Sequence, residues 1–308
     1  MAYDAQENLP LFIVMNAGSG RGDTQQAIQT VRAKLSAADR EFELYIADNP
    51  KQLPALAEQA ANNARRRNGA IIGAGGDGTL NLVAQQAYAV DRPFGALPQG
   101  TFNYFGRNHQ IPEGTAAAVD ALLQARTHDV QVGEVNGHLF LVNASLGLYP
   151  RLLQDREAYK QQFGRSRIVA FAASVKTLLQ DHRALLLQIE SNESKKMLFT
   201  STLFVGNNAL QLQQVGIDEA EAVPDQLTAV AVRPGSKMKM LSLLLRGALG
   251  NLGASDQIES FAFTQLTVRP RLPYGRKRIK VAIDGEIFWF DSPLRFALTP
   301  RPLQLLKR

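Results

Sequence analysis

Hydrophobic and polar positions along the first 100 residues predict buried strands that alternate with amphipathic helices. Continuous apolar stretches begin near residues 11, 42, 70 and 94, and each is followed by a segment with helical periodicity. In residues 53–64, for example, Leu and Ala recur at the spacing of a helix that packs on a sheet. Strands and helices in this order are typical of parallel βαβ units. We therefore predict a three-layer α/β domain with a parallel sheet over residues 1–127.

The pattern changes after residue 127 to short alternating segments that are typical of antiparallel strands. Asn136-Gly137 lies between two apolar segments, 129–135 and 139–144, as in a two-residue hairpin. We predict an antiparallel β-sandwich or open barrel over residues 128–298. Its further strands are predicted at 185–189, 199–205, 227–232, 258–268, 279–283, 288–290 and 294–298, with helices at 167–179 and 238–249.

Composition places the chain among globular proteins, since 45% of its 308 residues are hydrophobic and 20% are charged. Cysteine is absent, which excludes a disulfide framework and Cys-based metal sites. The first residues lack the basic and apolar regions of a signal peptide. The apolar runs 168–175 and 241–245 are far shorter than the ~20 residues of a membrane span. We expect a cytoplasmic protein, soluble or peripheral to the inner face of the membrane.

The net charge of +6 favours anionic partners. Nucleic acid, anionic lipid and phosphorylated substrates all fit that charge. The chain contains no assembled nucleic-acid-binding motif, so we predict no nucleic acid partner.

Three glycine-rich loops follow three of the four predicted N-terminal strands, at residues 16–22, 73–81 and 97–103. In a parallel sheet such loops meet at the carboxyl ends of the strands, where ligands bind. Glycine lets the backbone approach a ligand closely, and the following helix offers N–H groups to phosphate. One such loop is equally typical of a tight turn, but three at one edge predict a phosphate-binding site.

Two well-known phosphate-binding sequence patterns do not describe the second loop. The chain has no P-loop sequence, and the Gly73-x-Gly75-x-x-Gly78 match to the dinucleotide fingerprint follows the third strand instead of the first. That loop also contains Asp77, whose carboxylate would repel a pyrophosphate unless a cation lies between them. Asp77 is therefore a candidate ligand for Mg²⁺ that bridges to phosphates.

The second loop, Gly75-Gly76-Asp77-Gly78-Thr79, resembles the motif shared by diacylglycerol and sphingosine kinases, NAD kinases and phosphofructokinases. The first loop is similar to the Asn-Pro-x-Ser-Gly loop of the lipid kinases, with Ala17 in place of proline, and residues 97–107 resemble their Pro-x-Gly-Thr-x-Asn segment. Asp284-Gly285-Glu286 resembles their late Asp-Gly-Glu motif. By the order and spacing of these segments, the chain is identified as a member of the bacterial diacylglycerol-kinase-like lipid kinases.

The resemblance implies an ATP- and Mg²⁺-dependent kinase that phosphorylates a lipid hydroxyl in or beside the cleft to the β-rich domain. It also implies that residues 299–308 return to the first domain. Asp77 would lie near Mg²⁺, and Asp284 or Glu286 would accept the proton of the lipid hydroxyl. The nucleotide would be bound by Asn16, Gly18, Ser19, Gly20, Gly75, Gly76, Asp77, Gly78, Thr79, Asn81 and Thr101. Without the resemblance, Asp284-Gly285 would be interpreted as an ordinary hairpin turn.

The sequence departs from these relatives within residues 207–230, where their Gly- and Asp-rich loop binds a structural metal. Most of the acidic ligands are missing here. We therefore expect this second metal site to be lost.

A lipid kinase without a membrane span must dock on a lipid surface. Basic residues lead into apolar helical segments at 165–175 and 237–246. Each segment suits an interfacial helix and equally suits a helix packed on a sheet. The dense basic stretch 269–280 suits either lipid headgroups or solvent.

Two other functions stay open on the residues alone. One is a kinase of a soluble hydroxyl such as that of NAD, and the other is a non-catalytic nucleotide or lipid sensor on the same fold. A homodimer is compatible with the sequence.

Overall fold

The computed structural model describes residues 8–17, 24–100, 102–148, 150, 184–191, 194–206, 225–236, 258–271 and 277–308. The chain forms two compact units. Unit 1 comprises Met1–Val132 and Pro300–Arg308, and unit 2 comprises Gly133–Thr299. The predicted division lay at residue 127, with a return at 299.

In the part of unit 1 that the structure describes, the strands form one six-stranded sheet with the order β2-β1-β3-β4-β18-β5. Its strands are β1 (Leu11–Asn16), β2 (Phe42–Ala47), β3 (Ala70–Gly75), β4 (Phe94–Pro98), β5 (Arg126–Val130) and β18 (Leu303–Lys307). Its helices are α1 (Thr24–Ala37), α2 (Leu53–Arg66), α3 (Asp77–Ala89), α4 (Tyr104–Asn108) and α5 (Thr115–Leu123). All neighbours pair in parallel except β5, which is antiparallel to β18.

Helices cover both faces of this sheet. On one face, Ile28 and Leu35 of α1 and Val119 of α5 pack with Ile13 of β1 in one core cluster. On the other face, α2 buries its Ala stripe and contacts β1 and α3. The predicted three-layer α/β arrangement is therefore confirmed.

The described residues of unit 2 form two six-stranded antiparallel sheets. The β9 sheet has the order β10-β9-β14-β17-β6-β7, and the β8 sheet has the order β13-β12-β11-β8-β15-β16. The strands are β6 (Gly133–Val135), β7 (His138–Phe140), β8 (Asn143–Gly147), β9 (Leu185–Ser191), β10 (Lys195–Thr200), β11 (Thr202–Gly206), β12 (Leu227–Val232), β13 (Ile258–Phe263), β14 (Gln265–Pro270), β15 (Arg278–Ile283), β16 (Glu286–Asp291) and β17 (Leu294–Leu298).

One hydrophobic core joins the inner faces of the two sheets. Leu187 and Phe296 of the β9 sheet belong to the same buried cluster as Leu146, Leu203 and Val281 of the β8 sheet. Two antiparallel sheets that share a core form a β-sandwich, so the prediction of a sandwich is confirmed.

Three predicted strands are each two strands, and those predictions were wrong in the same way. Residues 139–144 divide between β7 and β8, residues 199–205 between β10 and β11, and residues 258–268 between β13 and β14. In each case the chain passes from one sheet to the other. The core residues show where one such break falls, because the inward-facing Leu198 of β10 has an even number and the inward-facing Leu203 of β11 has an odd number. Side chains alternate faces along a strand, so two inward-facing residues an odd number of positions apart cannot lie on one uninterrupted strand.

The predicted strand 129–135 also divides, since β5 ends at Val130 in unit 1 and β6 begins at Gly133 in unit 2. The hairpin predicted at Asn136-Gly137 joins β6 to β7, and both residues have positive φ, 49° and 79°. That is the backbone of a type I′ turn, in which Asn-Gly is preferred.

No helix among the described residues is long and apolar enough to cross a membrane. The predicted helical segments 165–175 and 237–246 lie outside the described residues. Residues 207–224, where most of the acidic ligands of the relatives' metal site are expected to be missing, also lie outside them.

A pH dependence of folding is expected from His109, whose ring lies 4.6 Å from the Phe105 ring between centroids. Burial, together with the positive charge of Lys307, lowers the pKa of His109 from 6.5 to about 4. The unfolded chain takes up this proton at a higher pH than the folded chain does. The contribution of His109 to the free energy of unfolding is therefore complete above pH 6.5 and is lost as the pH falls through about 4.

Between about pH 7 and about pH 4, the free energy of unfolding measured in urea should fall by about 1–3 kcal/mol more for wild type than for His109→Gln. The difference between the two proteins removes the titration of Asp and Glu, which both share. Parallel stability curves for the two proteins would contradict the assignment.

Candidate functional site

The first and third glycine loops both contact the second loop at one edge of the unit 1 sheet. They follow β1, β3 and β4, which are neighbours in parallel, so the loops emerge at the same carboxyl edge. Asn16 Nδ2 of the first loop donates to Thr79 Oγ1 of the second at 3.3 Å. Gln99 N of the third loop donates to Gly75 O of the second at 2.8 Å.

Glycine is required where these loops approach most closely. A Cβ on Gly100 would lie 2.9 Å from Gly76 Cα and 2.9 Å from Asn103 Oδ1. A Cβ on Gly75 would lie 2.7 Å from the side chain of Thr79. The second and third loops therefore pack backbone against backbone, which leaves no room for side chains at these points.

The second loop leads into α3, whose N-terminus has no side-chain cap. Gly76 is the N-cap residue and Asp77 the first helical residue. The first N–H groups of a helix have no partner within the helix, and together with the helix dipole they favour an anion. An uncapped helix of 13 residues that begins in a glycine loop suits a phosphate group.

Most of the predicted nucleotide-binding residues are gathered here. Thr79 and Asn81 lie in the first turns of α3 and are buried, and Gly78 lies between Asp77 and Thr79. Gly18, Ser19, Gly20 and Thr101 lie outside the described residues.

The Asp77 carboxylate faces the start of α4. Its Oδ1 accepts a long hydrogen bond of 3.5 Å from Phe105 N, and the N–H groups of Tyr104 and Asn103 also act on it. Asn103 is the N-cap residue of α4 and has a φ of 49°, a left-handed conformation that Asn tolerates. Burial raises the pKa of the Asp77 carboxyl, and these N–H groups act in the opposite direction.

Two buried polar atoms of the third loop have no hydrogen-bond partner among the described residues. They are Asn103 Oδ1 and Gln99 Nε2, on either side of Gly100 in the sequence. A buried polar group without a partner costs about 1–3 kcal/mol, so an acceptor and a donor kept in this state suit a polar ligand. Both residues were quoted in the third motif, but the sequence did not single them out as binding residues.

Mg²⁺ fits these residues only in company with a nucleotide. Asp77 and the oxygen of Asn103 are ligands of the type that Mg²⁺ prefers. The described part of the chain holds no group of three or more His, Cys, Asp or Glu side chains that could hold a metal. Mg²⁺ is commonly held by one or two carboxylates together with substrate phosphates, and that is the arrangement these residues suit.

Asp284 of unit 2 is held by three backbone N–H groups. Its Oδ2 accepts from Leu141 N at 2.7 Å, and its Oδ1 accepts from Val142 N at 2.9 Å and Asn143 N at 3.0 Å. Asp284 and Gly285 form the turn between β15 and β16 with positive φ values of 46° and 90°. Asp284 is buried and Glu286 is exposed, so the two carboxylates have different surroundings.

Residues 10–135 match the diacylglycerol kinase catalytic domain family, which confirms the resemblance for the three glycine-rich loop motifs within that range. Asp284-Gly285-Glu286 lies outside the matched residues. A diacylglycerol kinase of Staphylococcus haemolyticus is 34% identical over 137 residues, which are 44% of this chain and 41% of that protein. One of Staphylococcus saprophyticus is 31% identical over 137 residues, 44% of each chain. The match thus spans less than half the length of these curated relatives.

The whole fold is also found among solved structures. A diacylglycerol kinase structure from Bacillus anthracis strain Sterne superposes with a TM-score of 0.72 at 16% identity over 99% of both chains. Another structure from the same strain gives a TM-score of 0.74 at 17% identity, again over 99% of both chains. Because the sequence identity is low, this similarity shows the fold alone. The superposed region includes unit 2.

Gly100→Ala should separate the second and third loops, because the new Cβ meets backbone. We expect the free energy of unfolding to fall by about 1–3 kcal/mol, measured by chemical denaturation. Gly76→Ala is the matched control, since its Cβ would lie 3.6 Å from Gly100 Cα and its φ of −80° suits any residue. Equal losses in both variants would contradict the backbone contact.

Asp284→Asn should destabilise unit 2, because its amide nitrogen would face a backbone N–H where a carboxylate oxygen now accepts. One buried donor left without an acceptor lowers the free energy of unfolding by about 1–3 kcal/mol. Asp291→Asn, at the exposed end of β16, should change it by no more than about 0.5 kcal/mol. Denaturation midpoints that coincide for the two variants would show that Asp284 is not an anchor.

Proposed function

We propose, with the diacylglycerol kinase catalytic-domain match of residues 10–135 as the premise, that the chain is an ATP-dependent lipid kinase. It would transfer the γ-phosphate to the hydroxyl of diacylglycerol or a related lipid alcohol. The observation that carries the proposal is the gathering of the glycine loops around the uncapped N-terminus of α3. Diacylglycerol is the substrate named for the relatives, and we propose it for this chain by similarity.

Backbone groups would do most of the nucleotide binding. The N–H groups at the start of α3 suit phosphate oxygens, and the absence of side chains at Gly75, Gly76 and Gly100 lets a ligand reach them. Gln99 Nε2 is a buried donor without a partner in the described part of the chain, and an oxygen of the nucleotide would satisfy it. The first loop, with Asn16, Gly18, Ser19 and Gly20, and Thr101 of the third would complete the pocket.

Magnesium, when bound with the nucleotide, neutralises phosphate charge. Asp77 would hold it, with the Asn103 oxygen nearby. Phosphoryl transfer depends mainly on positioning and on charge neutralisation, so a site of backbone amides with one acidic ligand is chemically sufficient.

The transfer step needs a proton acceptor for the lipid hydroxyl. The hydroxyl oxygen attacks the γ-phosphorus, the bond to the oxygen that bridges to the β-phosphate breaks, and ADP leaves. The hydroxyl proton passes to the Asp284 and Glu286 pair. Asp284 is held in one orientation by three N–H groups. Glu286 lies two residues later at the exposed start of β16.

The decisive experiment is transfer of labelled γ-phosphate from ATP, with Mg²⁺, to a panel of acceptors in mixed micelles. The panel contains diacylglycerol, monoacylglycerol, ceramide and a long-chain base, with NAD as the soluble acceptor. Wild type should phosphorylate a lipid. Asp77→Ala, Asp284→Asn and Glu286→Gln should each be compared with Asp291→Asn, and loss of a catalytic base should lower kcat by about 10²–10⁴-fold.

Controls separate chemistry from folding. Asp284→Asn is expected to lose stability, so ATP binding and the denaturation midpoint are measured for every variant, and exposed Glu286→Gln tests the pair without a folding defect. A phosphorylated NAD product with no lipid product would move the function to a soluble hydroxyl. ATP binding without turnover on any acceptor would leave a nucleotide sensor.

A further inference from the structure

The edge strand β10 exposes large apolar side chains on its outer face. Phe199 is 58% exposed and Met197 is 46% exposed, although Leu198 between them is only 4% exposed. Side chains alternate faces along a strand, so Met197 and Phe199 point together to the outside of the β9 sheet. Large apolar side chains that are about half exposed and grouped on one strand face are typical of an interaction surface.

Cross-strand neighbours extend this surface across three strands. Phe199 is paired with Leu186 of β9, and Leu186 O accepts from Arg271 N at 2.8 Å. Met197 is paired with Gln188, which is paired with Arg269 of β14. Adjacent strands lie about 4.8 Å apart. Each apolar side chain of β10 therefore has a cationic residue two strands away in its own row.

The same face carries an excess of positive charge. Lys195 precedes Met197 on the outer side of β10, and Arg269 and Arg271 are also exposed. The one acidic neighbour in these rows among the described residues is Glu190, which lies 2.9 Å from Arg269 and 3.9 Å from Lys195. Three cations and one carboxylate leave a charge of +2.

We propose that this docking face, formed by Leu186, Lys195, Met197, Phe199, Arg269 and Arg271, binds the surface of an anionic phospholipid bilayer. The inference rests on the proposed function, because it names the surface from which a lipid kinase would draw its substrate. Phe and Met side chains enter the boundary between headgroups and acyl chains, while Lys and Arg bind anionic headgroups and lay their apolar stems along the surface.

Charge complementarity favours a bilayer over a second copy of the chain. In a twofold dimer the same patch faces itself, so Lys195, Arg269 and Arg271 would meet an identical set of cations. An anionic lipid surface meets both the cations and the apolar side chains. It also needs no matching shape, which suits an open sheet face.

The test is sedimentation of the full-length protein with vesicles in the absence of ATP. Vesicles of phosphatidylcholine alone are compared with vesicles of phosphatidylcholine and phosphatidylglycerol. Wild type should bind the anionic vesicles more tightly, and added salt should weaken that binding. Phe199→Ser should lower the partition coefficient about tenfold. Arg269→Gln and Arg271→Gln should each lower it about fivefold.

Two matched controls define the face. Trp289→Ser removes a side chain that is 50% exposed on β16 of the other sheet, and Arg65→Gln removes an exposed cation of α2. Both should leave vesicle binding within about twofold of wild type. The proposal is overturned if Phe199→Ser and Arg271→Gln bind like wild type, or if they lose binding no more than these controls do.

Other outcomes separate this proposal from its alternatives. If wild type ignores vesicles and Phe199→Ser converts a dimer to a monomer in sedimentation equilibrium, the face is an interface between copies and the proposal fails. The binding measurement needs no phosphoryl transfer. Vesicle binding that depends on this face, found in a protein without kinase activity, would therefore support the docking face and count against the proposed function alone.

Discussion

The candidate nucleotide site depends on one close backbone contact, between the second and third glycine loops of unit 1. A Cβ on Gly100 would collide with the Cα of Gly76 and with the side-chain oxygen of Asn103. The hydrogen bond from Gln99 N to Gly75 O joins the same two loops. Close to this contact, the Asp77 carboxylate accepts from Phe105 N of α4. Gln99 and Asn103, on either side of Gly100 in the sequence, carry buried polar atoms without a hydrogen-bond partner among the described residues.

Charge is distributed unevenly around this contact, and that shapes what the site can bind. The uncapped start of α3 favours an anion, yet the residue that begins the helix is itself acidic. Burial raises the pKa of Asp77, so its ionised form benefits from a nearby cation. A phosphate with its divalent cation satisfies both groups at once, whereas a bare anion would satisfy the helix and be repelled by the carboxylate.

Much of the architecture follows from local sequence. The four strands of the βαβ region, their helices and the Asn136-Gly137 hairpin were all predictable, because each is determined by periodicity or by turn chemistry over a few residues. Where the chain passes from one sheet to the other, the sequence pattern predicted one strand in place of two. Runs such as 199–205 keep high strand propensity through the break, and only the shift of buried positions from Leu198 to Leu203 marks it. That shift is visible in the sequence only if the parity of apolar positions is followed.

The candidate site was predictable as a set of loops but not as a set of contacts. Nothing local in the sequence joins Asp284 to residues 141–143, which precede it by more than 140 positions. Asp284-Gly285 can be both a hairpin turn and the start of the Asp-Gly-Glu motif. The positive φ values of both residues reverse the chain, and the Asp284 carboxylate is at the same time held by three N–H groups. The turn then places Glu286 at the exposed start of β16. One buried, fixed acid and one exposed acid therefore occupy different surroundings within a three-residue motif.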